Sequence, residues 1–307
     1  MAAPLKIQDS AARAATASQK SRCWICGCEH LELVKPCNIE ELTSASFSIT
    51  DSHYGTTGAI YRCSACQFLQ CSELAEVLPY YEELVDSAYD AGRRERSLQA
   101  RKILNVAHKL QPGGRLLDIG AGSGFLVEQA IQMGYEAKGV EPSGWLQQVA
   151  RQHGLPVYPG TFPNPAVSGP FDVITLIDVI EHVSDPVGLL GHIAEALRPS
   201  GMALVVTPDV RSIAARVLGW KWWHFRVAHI GYFNQKNLFL ALDRAGLQPI
   251  LIRRPGWFFT AEYVWERTHR YLPEFLQVAP PRFIAGRVIP VNLRDSWLVA
   301  CRRKASN

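Results

Sequence analysis

A strand that runs into a glycine-rich turn constrains the fold of this 307-residue chain more than any other feature. Residues 116–125 read LLDIGAGSGF, with glycines at positions 120, 122 and 124. Glycine lets the backbone turn tightly and lets a ligand approach it closely. Because a helix is expected to begin at the last of these glycines, the unit predicts a ligand site at the carboxyl end of the strand.

Strands and helices alternate from Arg115 onward. We expect strands at residues 115–119, 137–140, 155–158, 171–177 and 202–207, with helices at 124–133, 144–153 and 187–197 between them. A helix at 234–245 and strands at 247–252 and 296–301 follow. This rhythm predicts an α/β fold, a doubly wound, mostly parallel, Rossmann-like sheet.

Two acidic residues near the turn indicate which class of ligand it would bind. A dinucleotide-binding turn carries its third glycine at position 125, where this chain has Phe125. Asp118 lies two residues before Gly120, where a carboxylate would repel a pyrophosphate but would suit an ammonium group. Glu141 ends the next predicted strand, where an acid can accept hydrogen bonds from ribose hydroxyls. The pattern favours a cofactor with a cationic amino-acid end over NAD; the alternative is an ordinary turn with a surface Glu.

The chain resembles class I S-adenosylmethionine-dependent methyltransferases over roughly residues 80–250. The segments that carry the resemblance are 117–124, GVEP at 139–142, FDVI at 171–174, DVIEH at 178–182 and LRPSG at 197–201. The resemblance implies that S-adenosyl-L-methionine is the cofactor. It further implies cofactor contacts from Asp118, Gly120, Ala121 and Gly122 (methionyl end), Glu141 and Pro142 (ribose side), Thr161 and Phe162 (adenine), and Ile177 and Asp178 (transferred methyl).

Two histidines are candidate general bases. Methyl transfer from a sulfonium is an in-line displacement that depends on orientation, and an oxygen acceptor also benefits from a group that removes its proton. His182 follows a predicted sheet strand, and His229 lies in the segment VAHIGYF before a predicted helix. The alternative for His182 is a structural residue capping the next helix, and for His229 a loop histidine whose hydrogen bonds are satisfied.

Four cysteines form two CxxC pairs, Cys23 with Cys26 and Cys63 with Cys66. Two such pairs can place four sulfurs around one ion, which predicts a closed, structural Zn²⁺ site. The alternative is a set of free thiols or a redox pair. Three further cysteines, Cys28, Cys37 and Cys71, lie close to these pairs in the sequence. The eighth, Cys301, is expected in the core.

These patterns divide the chain into three parts. We expect a flexible tail at 1–20, a zinc-ribbon-like, zinc-binding module at 21–72 and a methyltransferase domain at 73–307 with insertions near 209–232 and 255–292. No apolar run reaches the roughly 20 residues that a membrane-spanning helix needs, and the N-terminus lacks a secretory signal pattern. The expected location is therefore the cytoplasm, with peripheral contact at the inner membrane surface as a further expectation.

The last third of the chain is basic and rich in tryptophan. Residues 200–307 hold sixteen Lys or Arg against six Asp or Glu, and six of the eight Trp. Trp257, Tyr263, Val264, Arg267 and Tyr271 could form one amphipathic helix facing an interface that is part oily and part anionic. The alternative is a lid over the active site whose aromatic side chains pack on the core.

A similar cysteine segment precedes methyltransferases of sugar and polysaccharide pathways. The resemblance implies O-methylation of a sugar or polysaccharide/glycolipid precursor, since C-methylating members usually carry a further C-terminal domain. The expected partner is a small-molecule or lipid-linked saccharide acceptor, and nucleic acid is not expected because the cysteine segment is acidic. A small-molecule or quinone-precursor methyltransferase, a non-catalytic interaction protein and an RNA methyltransferase remain alternatives, and the oligomeric state is left open.

Overall fold

The computed structural model describes residues 5–6, 22–50 and 53–305. Its first five strands are short. They are β1 (Leu5–Lys6), β2 (Leu31–Lys35), β3 (Glu41–Leu42), β4 (Ile60–Cys63) and β5 (Leu69–Gln70). Strand β1 pairs with β3, while β2 and β5 each pair antiparallel with β4. The two CxxC pairs lie at one end of this small sheet, because Cys63 ends β4 and Leu31 of β2 pairs with it.

Three helices lead into an alternating β/α region. The helices are α1 (Leu78–Glu82), α2 (Ser87–Ala91) and α3 (Arg93–Leu110). They are followed by β6 (Gly114–Ile119), α4 (Phe125–Gln132), β7 (Tyr135–Glu141), α5 (Gly144–Gln152), β8 (Val157–Pro159), β9 (Phe171–Ile177), α6 (Pro186–Ala196) and β10 (Leu197–Pro208). The remainder comprises α7 (Ile213–Leu218), β11 (Gly231–Tyr232), α8 (Gln235–Arg244), β12 (Leu247–Arg253), β13 (Trp257–Thr260), α9 (Ala261–His269), β14 (Val288–Val291) and β15 (Ser296–Arg303).

A seven-stranded sheet forms the centre of the molecule, in the order β12-β15-β10-β9-β6-β7-β8. Strands β6 to β10 are mutually parallel, and β15 alone runs antiparallel to its neighbours β10 and β12. The predicted α/β, doubly wound, mostly parallel sheet is therefore confirmed. The chain reverses its direction of travel across the sheet between β6 and β9, which opens a crevice at their carboxyl ends.

Local sequence explains why the elements begin where they do. Six of the seven residues of β9 are buried, as expected of a strand covered on both faces. Helix α6 starts at Pro186 behind Asp185, whose side chain accepts a hydrogen bond from the Gly188 N–H. Asn234 caps α8 in the same way by accepting from two backbone N–H groups of its first turn. These caps fix the helices that flank the crevice.

The predicted cysteine module (21–72) and the predicted domain at 73–307 share a sheet. Strand β11, which lies in the predicted insertion at 209–232, pairs antiparallel with β5 of the module and completes the order β11-β5-β4-β2. Behind it, the Phe68 and Phe233 rings pack with their centroids 4.9 Å apart. Both rings are fully buried. The segments on either side of the boundary predicted at residue 72 therefore pack against each other as one body. The predicted tail at 1–20 lies outside the described residues apart from 5–6.

The predicted insertion at 255–292 is a hairpin with a helix between its strands. Strand β13 pairs antiparallel with β14, and α9 runs between them. The single amphipathic helix expected from Trp257 to Tyr271 is wrong in its extent, because Trp257 pairs with Val291 in the hairpin and α9 ends at His269. Thr260 caps α9 and so separates strand from helix.

None of the described helices combines the length and apolar character needed to cross a bilayer. The longest of them, α3, has 18 residues and a largely polar sequence.

Candidate functional site

A cavity of about 800 Å³ lies at the carboxyl ends of the central strands, between the sheet, the cysteine module and the 255–292 hairpin. Ligand pockets commonly measure about 300–1,000 Å³, so this cavity has room for a cofactor together with an acceptor. All the predicted cofactor and base residues line it: Asp118, Gly120, Ala121, Gly122, Glu141, Pro142, Thr161, Phe162, Ile177, Asp178, His182 and His229. The structure thus brings together residues that span more than one hundred positions of sequence.

The glycine turn leaves no space for side chains. Gly120, Gly122 and Gly124 have φ angles of 75°, 54° and 84°, in the left-handed region that favours glycine. A Cβ atom on Gly120 would collide with the Val179 side chain, and one on Gly122 would lie 2.8 Å from the Tyr89 hydroxyl. Substitution at either position would therefore push a side chain into the cavity wall.

Asp118 and Glu141 are buried carboxyl groups beside this turn. The Thr175 hydroxyl donates to Asp118 at 2.6 Å, and Glu141 accepts the N–H groups of Gly122 and Ser143, both at 2.8 Å. Burial raises the pKa of each carboxyl to about 7. Each carboxylate oxygen has two lone pairs, so both groups keep acceptor capacity for a ligand. A ligand with an ammonium group and vicinal hydroxyls matches this pair.

Asp178 and Glu181 add buried oxygen atoms without partners. Among the described residues, nothing donates a hydrogen bond to Oδ1 of Asp178 or to Oε1 of Glu181. Asp178 has a φ of 51°, in the left-handed region that is uncommon for residues other than glycine. Burial and the charge of Asp295 raise the pKa of Asp178 to about 7, and burial raises that of Glu181 further above its usual range. Orphaned acceptors of this kind fit a site that is completed by a ligand.

Arg96 is a cation in the same cavity that the sequence analysis did not identify. Its guanidinium lies 3.8 Å from the centre of the Tyr89 ring, and its Nε donates to the Tyr89 carbonyl at 3.1 Å. Tyr89 in turn abuts Gly122. A guanidinium next to the glycine turn could pair with the carboxylate of an amino-acid ligand. The residues present therefore fit S-adenosylmethionine, and Asp118, Glu141 and Arg96 are the charged groups that would hold it.

The two candidate bases lie side by side. The rings of His182 and His229 are perpendicular, with centroids 4.7 Å apart. The Nδ1 atom of His182 lies 2.7 Å from the Ala228 carbonyl and 2.5 Å from the Tyr81 hydroxyl. Because a carbonyl only accepts, the tautomer with the proton on Nδ1 satisfies this contact and would leave Nε2 without a proton. Burial lowers the pKa of His182 to about 4 and that of His229 well below its usual value, so both rings are uncharged at neutral pH.

Glu181 completes a group with these histidines. One ligand atom from each of Glu181, His182 and His229 lies within 4.8 Å of the others, an arrangement that could hold a metal ion. Thr207 donates to Oε2 of Glu181 at 2.9 Å, which leaves Oε1 for a further contact. The sequence segment 178–182 contains Glu181, but only the packing reveals that its carboxyl is buried beside both histidines.

The cysteine cluster has the geometry of a metal site. The sulfurs of Cys23, Cys26, Cys63 and Cys66 lie within 4.8 Å of one another, with Cys23–Cys66 at 3.4 Å and Cys26–Cys63 at 3.5 Å. A tetrahedral Zn²⁺ with Zn–S bonds of about 2.3 Å would place its sulfurs about 3.8 Å apart. Four thiols with no other ligand type suit Zn²⁺ in a closed, structural role.

The other cysteines take no part in this cluster. Cys28 contacts the Ser64 hydroxyl at 3.7 Å and lies beside the cluster without contributing to it. Cys71 is fully buried behind β5, and Cys301 is buried in β15, as expected. The tertiary structure therefore separates the four predicted ligands from the nearby cysteines.

Comparison with known proteins gives one family. Residues 66–252 match the family model described as a methyltransferase domain. Similar curated proteins include the ubiquinone biosynthesis O-methyltransferases of Cereibacter sphaeroides strain ATCC 17025 and Ruegeria pomeroyi. Each is 31% identical over 175 residues, covering 52% of this chain and 70% of the relative. The mitochondrial ubiquinone biosynthesis O-methyltransferase of Schizosaccharomyces pombe is 31% identical over 115 residues, 34% of this chain and 42% of the relative.

Solved structures of similar shape have low sequence identity. One is a methyltransferase of Thermotoga maritima described as a possible histamine N-methyltransferase, with 18% identity, a TM-score of 0.47, and coverage of 71% of this chain and 95% of that one. Another is an S-adenosylmethionine-dependent methyltransferase of Archaeoglobus fulgidus, with 15% identity, a TM-score of 0.49, and coverage of 71% and 100%. The fold assignment rests on the strand order and the family match.

Cofactor affinity should depend on pH. A carboxyl with a pKa of about 7 is ionised to about one-tenth at pH 6 and about nine-tenths at pH 8, so an ammonium ligand should bind Asp118 roughly tenfold more weakly at pH 6. Calorimetric titration with S-adenosylmethionine at pH 6, 7 and 8 measures this. Asp118→Asn should weaken binding and flatten the slope, whereas the surface variant Asp243→Asn should retain both. Equal affinity at pH 6 and pH 8 would contradict the assignment.

Zinc should stabilise the wall that carries His229. The Cys71 N–H after β5 donates to the Ile230 carbonyl at 2.8 Å, and the Ile230 N–H donates to the Glu181 carbonyl at 2.9 Å. Cys63→Ser should therefore lose zinc, cost about 3 kcal/mol or more of unfolding free energy (roughly 6–12 °C) and reduce methyl transfer. Metal analysis, thermal unfolding and an activity assay test this.

Cys28→Ser is the matched control for that variant, because Cys28 adjoins the cluster without joining it. It should retain about one zinc per chain and the parent's unfolding temperature. A zinc-free chain as stable as a zinc-loaded one would show that the cluster does not have this role.

Proposed function

The chain belongs to the methyltransferase domain family and is an S-adenosylmethionine-dependent methyltransferase; we propose that it methylates a hydroxyl oxygen on a small acceptor with a large apolar body, such as a hydroxylated aromatic quinone precursor. The observation that carries this proposal is the apolar lining of the cavity away from the glycine turn. The module and the hairpin supply it through Phe47, Ile49, Trp257, Phe259, Tyr263 and Tyr271. An apolar wall of this kind favours binding of aromatic and aliphatic groups.

The arginines of the cavity support the same choice. Arg226 donates to the Ile49 carbonyl at 2.9 Å and also to the Ser48 carbonyl. Arg267 donates to the Thr50 carbonyl at 2.9 Å. Because the terminal nitrogens of both guanidinium groups donate to the protein itself, these two cations offer little to a phosphorylated sugar. Arg96 lies beside the glycine turn, where the cofactor would take it. The sugar or polysaccharide/glycolipid acceptor expected from the resemblance therefore ranks below an apolar acceptor.

The names of the relatives agree with an oxygen acceptor. The similar curated proteins are ubiquinone biosynthesis O-methyltransferases, with 31% identity over about half of this chain. The non-catalytic alternative finds no support, because the glycine turn and the acids Asp118 and Glu141 are all in place around the cavity.

The proposed chemistry divides the cavity between two tasks. Asp118, Glu141 and Arg96 would bind S-adenosylmethionine, which when bound supplies an electrophilic methyl group. The chain's own contribution is to hold the acceptor hydroxyl in line with that group, exclude water with the hairpin, and remove the hydroxyl proton. With the proton of His182 on Nδ1, facing the Ala228 carbonyl and the Tyr81 hydroxyl, Nε2 would be the accepting atom. His229 and the unpaired Oε1 of Glu181 lie next to this histidine.

The acceptor class can be tested with the purified chain and S-adenosylmethionine. Mass spectrometry should detect methylation of a catechol with a short prenyl chain at a kcat/KM at least about tenfold above that of bare catechol, since burying a prenyl group removes apolar area from water. Nucleotide-linked and lipid-linked sugars form the comparison arm. A saccharide methylated faster than every phenolic acceptor would overturn the proposal.

The base can be identified by three variants. His182→Ala, His229→Ala and Glu181→Gln each remove one candidate, and the true base should lose roughly 10²–10⁴-fold in kcat with cofactor affinity unchanged. His153→Ala, which changes an exposed histidine directly after α5 and outside the cavity lining, is the control and should keep full activity. If none of the three loses more than a few-fold, the reaction needs no base from this group.

A further inference from the structure

Two segments next to the cavity mouth expose large apolar side chains to solvent. We call them together the apolar rim: Ile213, Val217 and Trp220 in and after α7, and Tyr271, Leu272, Phe275, Leu276, Val278 and Phe283 after α9. Phe275 is 83% exposed, Ile213 78%, Val217 76% and Phe283 72%, the four highest values for large apolar side chains among the described residues. Single exposed apolar residues are ordinary, but a cluster of this size marks an interaction surface.

The two segments of the rim meet in space. The Tyr271 hydroxyl donates to the Lys221 carbonyl at 3.0 Å, directly after Trp220. The Tyr271 ring also stacks on Tyr54, at 6.5 Å between centroids, and the backbone of Gly55 lies against that of Trp220. Ile213 and Val217 are four residues apart and so lie on the same face of α7.

The charge around the rim selects an anionic partner. Residues 211–221 and 270–294 contain seven Lys or Arg and one acidic residue. Arg216, Arg270, Arg282 and Arg287 are exposed and form no ion pair with any residue that the structure describes. Aromatic and aliphatic side chains interspersed with arginine match the headgroup region of a bilayer, where apolar groups insert and cations contact lipid phosphates. Exposed aliphatic residues such as Ile213, Val217 and Val278 have no corresponding role on RNA.

The rim is continuous with the cavity. Tyr263, Tyr271 and Leu293 line the cavity and are also 37%, 37% and 52% exposed, so the cavity opens among them. An apolar acceptor dissolved in a bilayer could enter the cavity at this point without passing through water. Because exposing apolar surface to water is unfavourable, a route through water would oppose the acceptor's release from the membrane.

We propose that the apolar rim docks on an anionic lipid bilayer and that the cavity takes its acceptor directly from the membrane. The second half of this statement rests on the proposed function, because it requires an acceptor with an apolar body. The first half rests on the rim alone.

Vesicle flotation with the full, zinc-loaded chain tests the docking. Vesicles of phosphatidylcholine and phosphatidylglycerol at 3:1 should carry the chain at least about fivefold more than phosphatidylcholine alone, and 0.5 M salt should reduce this difference. The double variant Phe275→Ser/Phe283→Ser should bind anionic vesicles roughly tenfold or more weakly. Leu33→Ser/Ile131→Ser, which removes two exposed apolar side chains of β2 and α4 that are not part of the rim, should bind like the parent.

Three results would overturn the docking proposal. The first is a parent chain that does not float with anionic vesicles, and the second is a rim variant that floats as well as the parent. The third is a parent dimer in sedimentation velocity that Phe275→Ser/Phe283→Ser converts to a monomer, which would show that a second copy covers the rim.

Activity separates this inference from the proposed function. With a water-soluble, short-chain catechol, the parent and the rim variant should methylate equally, since both phenylalanines lie outside the cavity lining. With a long-chain catechol embedded in anionic vesicles, the rim variant should fall roughly tenfold. Failure of the parent on the soluble catechol would count against the acceptor class, whereas equal rates on embedded catechol would count against delivery from the membrane.

Discussion

The buried carboxylate of Glu141 ties the glycine turn to the next strand of the sheet. It accepts one N–H from Gly122 and one from Ser143, each at 2.8 Å, so the loop after β6 and the helix after β7 are held by one side chain. Burying a carboxylate is costly unless hydrogen bonds replace those of water. The positive φ angles of the glycines make this close approach possible, and the rest of the site is arranged around the resulting crevice.

The crevice is built as a receptor for a charged ligand. Burial raises the pKa of Asp118, Glu141 and Asp178 to about 7 each, so three acids gathered at the carboxyl ends of β6, β7 and β9 are held partly protonated at neutral pH. Arg96 lines the same cavity, and its charge offsets part of this effect at Asp178. A cationic ligand that binds here favours their ionised forms, which links cofactor binding to proton release.

The acceptor side depends on contacts between distant parts of the chain. Strand β11 joins the sheet of the cysteine module and places His229 next to His182 on the opposite wall. The hairpin is fastened across the mouth by Arg267, which reaches the Thr50 carbonyl and the Tyr54 hydroxyl. Contacts therefore join the cysteine cluster, the candidate bases and the hairpin into one packed unit, although their residues are spread from 23 to 291.

The sequence by itself determined what depends on local pattern: the alternating strands and helices, the glycine turn with Asp118 and Glu141, and the four cysteines of the cluster. These signals are short and periodic, so they could be interpreted without knowing which segments meet. Only the tertiary structure decided that Trp257 lies in a hairpin, that Arg96 and Glu181 complete the cavity, and that Arg226 and Arg267 are directed at backbone carbonyls. Those features depend on burial and on long-range contacts, which strand order and packing create and local sequence does not specify.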